Sequence, residues 1–221
     1  MKKDCLEIVR GKCNSCKACA LGATRHNIVF SDGNPETAKI VLIGEAPGET
    51  EDMTGTPFVG RAGKLLTEFL AEAGISRAED VYIINTVKCR PPENRVPTDE
   101  EKSSCRKFLE AQIDIINPRA IVLCGATALK SFVELDKKQT ISKVRGQWMN
   151  ISVDGKEYRA MTIFHPSYLL RNHSMEDGSP RRLMQEDLNN IKNEVLSDVN
   201  HEFIEISSDN IFAADKQLSL V

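Results

Sequence analysis

Four short runs of apolar, largely β-branched residues recur along the chain, at 39–43, 81–84, 120–124 and 159–164. None alternates with polar residues, which is the pattern of strands buried on both faces of a parallel sheet. Between them the apolar spacing changes to three and four. Leu65, Leu66, Phe69 and Leu70 share one face of a predicted helix over 60–73, with Gly74 as its stop. Thr98-Asp99-Glu100-Glu101 has the form of a capping box and opens a second helix that runs to Ile116 before Pro118 closes it. A third helix begins near Ala126, and a charged one covers 180–196. Strand followed by helix, repeated, predicts an α/β three-layer sandwich around a central, mainly parallel sheet of about four strands. Asp154-Gly155, flanked by 147–153 and 158–164, is the residue pair of a tight hairpin and predicts an antiparallel addition at one end of that sheet.

The least ordinary residues cluster at the carboxyl ends of these strands. Gly44-Glu45-Ala46-Pro47-Gly48 follows the first, Asn85-Thr86 the second, Gly125-Ala126-Thr127 the third and His165-Pro166-Ser167 the last. Ligands bind at that edge of open α/β sheets, so segments remote in sequence are expected to meet in one cleft.

At 221 residues the chain has the length of one well-cored domain, expected over 1–198, followed by a flexible acidic tail over 199–221. No apolar run approaches the roughly 20 residues needed to span a bilayer. The N-terminal lysines are not followed by the apolar core of a secretion signal, so the cytoplasm is the expected compartment. A net charge of -3 speaks against nucleic acid as a partner. Its distribution softens that objection, because Glu202, Glu205, Asp209 and Asp215 against Lys216 place the whole charge in the tail. Lys88, Arg90, Arg95, Lys143, Arg145, Arg181 and Arg182 are the candidates for a basic face.

In a reducing compartment the seven cysteines, an odd number, read as metal or cluster ligands before disulfides. Cys13, Cys16 and Cys19 form a C-x2-C-x2-C run, and Cys89 and Cys105 follow in a loop and in the capped helix. Thiolates two residues apart can address one metal from a single turn of backbone. The spacing separates neither zinc from iron-sulfur nor Cys13 from Cys16 as the first ligand. Cys5 and Cys124 read as ordinary thiols, Cys124 at the end of an apolar strand.

Taken in order, Cys16-Lys17-Ala18-Cys19, Gly44-Glu45-Ala46-Pro47-Gly48, Thr54-Gly55-Thr56-Pro57-Phe58-Val59-Gly60, Asn85-Thr86-Val87-Lys88-Cys89-Arg90-Pro91-Pro92, Cys105, Lys143-Val144-Arg145-Gly146 and His165-Pro166-Ser167-Tyr168-Leu169-Leu170-Arg171 resemble the family 4 uracil-DNA glycosylases. The resemblance covers roughly 13–197 and implies a monomeric DNA-repair enzyme that flips out uracil and hydrolyses its N-glycosidic bond. It implies a structural [4Fe-4S] cluster on Cys16, Cys19, Cys89 and Cys105, with Cys13 left over. It places Gly44, Glu45 and Ala46 around the uracil, Phe58 stacked on the ring, Asn85 at its N3 hydrogen and O4, and His165 at O2. Glu45, Asn85 and His165 are then the catalytic set. Arg145, Leu170 and Arg171 are implied in DNA binding, Leu170 as a wedge in the vacated stack. The chain departs from the superfamily at Ala46, where many members carry a water-activating aspartate, and Glu45 is the nearest substitute.

The tail ends Gln217-Leu218-Ser219-Leu220-Val221, which resembles the peptide that docks bacterial repair proteins on the sliding clamp. Gln217, Leu218 and Leu220 would fill the clamp's pockets, with Val221 in place of the usual aromatic. The competing reading of the whole chain is a non-catalytic nucleic-acid-binding module stapled by a zinc ion on four cysteines. A branch that captures DNA covalently through a histidine is disfavoured because 90–98 contains none, and a phosphate loop is disfavoured because no lysine and hydroxyl pair follows Gly48.

Overall fold

The computed structural model describes residues 1–136 and 139–197 of the protein. Its sheet is built from β1 (Ile40–Gly44), β2 (Val81–Asn85), β3 (Ala120–Cys124), β4 (Trp148–Val153) and β5 (Lys156–Ile163), in the order β2-β1-β3-β5-β4. All neighbours are parallel except β4 and β5. The hairpin strand thus makes five strands where about four were expected. Asp154 and Gly155 turn that hairpin with φ of 49° and 77°, the left-handed pair that matches the twist of two antiparallel strands.

The first three strands are buried at every position, as their unbroken apolar runs require. Successive side chains go to opposite faces. Val41, Ile43, Tyr82, Ile84, Ile121 and Leu123 join one core with α1 (Lys2–Asn14) and α5 (Asp99–Ile116). Ile40, Leu42, Val81, Ile83, Ala120 and Val122 join the other, with α4 (Arg61–Glu72) and α9 (Pro180–Val195). Helix, sheet, helix is the three-layer sandwich that the alternation of elements predicts.

Helix α5 begins at the capping box. The Thr98 hydroxyl accepts from the Glu101 amide at 3.2 Å while the Glu101 carboxylate accepts from the Thr98 amide at 2.8 Å. Helix α1 was not foreseen, although its buried Leu6, Val9 and Cys13 recur at helical spacing. The remaining helices are short: α2 (Leu21–Thr24), α3 (Glu49–Thr54), α6 (Ala126–Lys130), α7 (Ile141–Val144) and α8 (Pro166–Leu169). Among the described residues no helix is long and apolar enough to cross a membrane. The tail, with Gln217, Leu218 and Leu220, lies outside the described residues.

Candidate active site

Gly44 and Asn85 are register partners at the carboxyl ends of β1 and β2, so the two segments enter the cleft side by side. His165 arrives from two residues beyond β5 as the N-cap of α8. Glu45, Phe58, Asn85, His165 and Arg171 line one cleft of about 470 Å³. Gly44 is required there by close approach: a Cβ on it would stand 2.4 Å from Asn85 Oδ1 and 2.5 Å from the Phe58 ring. Ala46 borders the same cleft and rests, half-buried, against the first core.

Asn85 is 1% exposed, and its Oδ1 has no hydrogen-bond partner. A buried carbonyl oxygen without a donor costs free energy unless a ligand supplies one. Its backbone is fixed from below, where the Lys88 ammonium donates to the Asn85 carbonyl at 2.9 Å. Glu45 is fixed at both ends: its carbonyl accepts from the Thr86 hydroxyl and its Oε2 from the Thr127 hydroxyl.

The proton position on His165 follows from its neighbours. The Ser167 amide reaches His165 Nδ1 at 3.2 Å, and an amide can only donate. Nδ1 is therefore the acceptor, and a neutral ring carries its hydrogen on Nε2. Burial lowers the imidazole pKa, with Glu45 and Glu51 opposing it, which favours that neutral ring. The Phe58 ring lies 5.8 Å from the imidazole, centroid to centroid.

Five cysteines, Cys13, Cys16, Cys19, Cys89 and Cys105, line a separate cavity beside Lys88. None is in a disulfide. Arg25 joins Asn14, Cys16 and Cys89 by donating to the first two carbonyls and, at 3.3 Å, to the Cys89 sulfur. Burial pushes the thiols of Cys13 and Cys105 up to about 12 and about 11, with Lys88 opposing in both. Among the described residues no three of these side chains are placed as a closed metal-binding group. The chemistry of the donor set nonetheless suits a thiophilic cluster, being all sulfur on one cavity wall and flanked by Arg25 and Lys88. Cys5 and Cys124 do not border this cavity, in keeping with their reading as ordinary thiols.

Two basic-face candidates point inward. Lys88 is fully buried between the thiol cavity and Asn85. Arg145 grips Asp187 through Nε and Nη2, packs near the Phe164 ring and is only 12% exposed. Its Nε and Nη2 are thus engaged by a buried carboxylate, which leaves Nη1 for the contact with DNA that the resemblance implies. Arg171 is exposed at the rim of the cleft. Leu170 is half-buried against the second core, and Tyr168, 47% exposed, is the outward apolar side chain of that segment. Thr127 was visible in the sequence only as a strand-end residue, and Arg77, which holds the backbone of Phe58, gave no signal in spacing or composition.

Residues 30–189 match the uracil DNA glycosylase superfamily, and the chain belongs to that superfamily. Within it the relatives are specific. A type-4 uracil-DNA glycosylase of Thermotoga maritima is 53% identical over 194 residues, 86% of this chain and 95% of its own length. One from Archaeoglobus fulgidus is 47% identical over 158 residues, 71% and 78% of the two chains, and one from Sulfurisphaera tokodaii is 41% identical over 192 residues, 86% and 84%. The chain is a member of the type-4 family.

Proposed function

We propose that the chain excises uracil from DNA by hydrolysing the N-glycosidic bond, leaving an abasic site, in the cleft formed by Glu45, Phe58, Asn85 and His165. The observation that carries this reading is the buried, unpartnered Oδ1 of Asn85 beside an imidazole that presents an Nε2 hydrogen. Uracil offers a donor at N3 and acceptors at O4 and O2. The Asn85 amide matches the first two, with its oxygen taking the N3 hydrogen and its NH2 donating to O4. Cytosine reverses the pattern and would leave buried groups unpaired, so it is rejected. Phe58 stacks on the base.

As the glycosidic bond lengthens, negative charge grows on the uracil, and the Nε2 hydrogen of His165 stabilises it at O2. An oxocarbenium-like sugar needs little help from a strong base. The remaining task, positioning water, falls to Glu45, whose carboxylate Thr127 orients. The base is unreachable inside a duplex, so the nucleotide is flipped out at a cost of a few kcal/mol. The 168–171 segment would fill the gap, with Arg171 on a phosphate.

Cys16, Cys19, Cys89 and Cys105 would hold a [4Fe-4S] cluster, which when bound supplies a structural crosslink between the N-terminal segment and the 89–105 region. A reducing cytoplasm would keep those thiols available.

The test is incubation of anaerobically purified protein with a uracil-containing oligonucleotide, followed by alkali. Strand breaks at uracil, lost in Asn85→Ala and His165→Ala with the cluster absorbance retained, support the reading. Colourless, zinc-loaded protein that leaves the oligonucleotide intact would establish the stapled binding module instead.

A further inference from the structure

Phe58 is one of the few non-glycine residues in the left-handed region, with φ of 52°. An L residue with a large side chain holds that conformation only where its surroundings over-determine it. The peptide around it is pinned from both sides. Arg77 Nη1 donates to the Phe58 carbonyl at 2.9 Å and Nη2 to the Pro57 carbonyl at 2.8 Å. Glu51 Oε1 accepts from the next two amides, Val59 at 3.0 Å and Gly60 at 2.8 Å. Helix α4 closes the last side, and at Gly63 a Cβ would come within 2.0 Å of the Phe58 carbonyl.

Arg77 is itself held. Nε and Nη2 reach Asp32 Oδ2 at 3.0 and 2.8 Å, and Nη1 also reaches the Thr67 hydroxyl at 2.9 Å. Asp32 exchanges both backbone hydrogen bonds with Ile83, inside β2, two residues before Asn85. The clamp is thus referenced to the strand that carries the base-reading amide. Only a planar fork can serve two successive carbonyls and a carboxylate together, which a lysine ammonium cannot reproduce.

We propose that Arg77 is a positioning residue for base recognition: by capping the Pro57 and Phe58 carbonyls from an Asp32 anchor, it holds Phe58 left-handed so that its ring is set against Asn85 and His165. The proposal rests on Phe58 stacking on the uracil, as argued above. Arg77 touches neither base nor sugar and acts through Phe58 alone.

The experiment is a double-mutant cycle on the full chain with its native cysteine site. Inhibition of excision by free uracil is the readout, with melting temperature followed in parallel. Arg77→Lys, which keeps the charge beside Asp32, should raise the uracil concentration for half-inhibition by about tenfold, the scale of one lost stacking contact. Asp32→Asn, which loosens the anchor without touching the clamp, should shift it in the same direction and serves where Arg77→Lys folds poorly. In a Phe58→Ala background either substitution should change the inhibition by less than about twofold, because contacts acting through one residue are not additive. Equal effects of Arg77→Lys in both backgrounds, or a lowered melting temperature with uracil inhibition unchanged, would overturn the proposal. If Phe58→Ala alone leaves uracil inhibition unchanged, the stacking assignment fails first and the clamp with it.

Discussion

The Ser167 amide decides which nitrogen of His165 is free to donate, and that single contact ties the imidazole's chemistry to its backbone. Removing the Nε2 donor should lower kcat by about 10²- to 10³-fold in His165→Ala, the usual cost of one donor to a developing anion. The same residue links stability to pH. Burial depresses its folded-state pKa below the ordinary 6.5, so the unfolded chain takes up a proton first on acidification. Its contribution is complete above pH 6.5 and is lost as pH falls toward the folded-state value. The melting temperature should therefore drop more steeply below that pH in the native chain than in His165→Gln, and equal slopes would contradict the assignment. Arg145 makes a different prediction at this scale. Asp187 is 3% exposed, and burial already raises its carboxyl against the pull of Arg145. Arg145→Ala should cost about 3–5 kcal/mol in denaturant unfolding, because it strands a buried carboxylate.

Helix α5 carries Cys105 to the thiol cavity, and its start depends on two reciprocal hydrogen bonds between Thr98 and Glu101. Thr98→Ala should cost about 1 kcal/mol in denaturant unfolding, the usual cost of a lost N-cap. This element was legible because a capping box and a three-and-four apolar repeat are both local. Strands β1, β2, β3 and β5 were legible for the same reason, and the ends of β1, β2 and β5 carry Glu45, Asn85 and His165 into one cleft. Arg77 was not legible: its partners at 32, 57, 58 and 67 have no common period, and only the folded chain brings them together. The partner of Arg145 was not legible for a related reason: Asp187, on α9, lies 42 residues away.

The thiol cavity and the cleft are joined through one buried side chain. Lys88 borders the cysteines and donates to the backbone of Asn85, so the N-terminal segment and the end of β2 share a support. On the proposed cluster assignment, Cys89→Ser or Cys105→Ser should lower iron content and melting temperature together, while the fraction of either variant that retains the cluster should excise uracil at the native rate. The overall negative charge belongs to residues 199–221, and Arg171 stands exposed at the rim of the cleft. At the scale of the whole molecule the proposed function has the cleft read uracil through Asn85 and stabilise its departure through His165. The most direct test is single-turnover cleavage of matched uracil and cytosine oligonucleotides by the native chain, Asn85→Ala and His165→Ala, each with cluster absorbance verified. The account predicts excision of uracil alone by the native chain and a loss of at least about 100-fold in both variants. Full activity in either variant, or excision of cytosine at a comparable rate by the native chain, would contradict it.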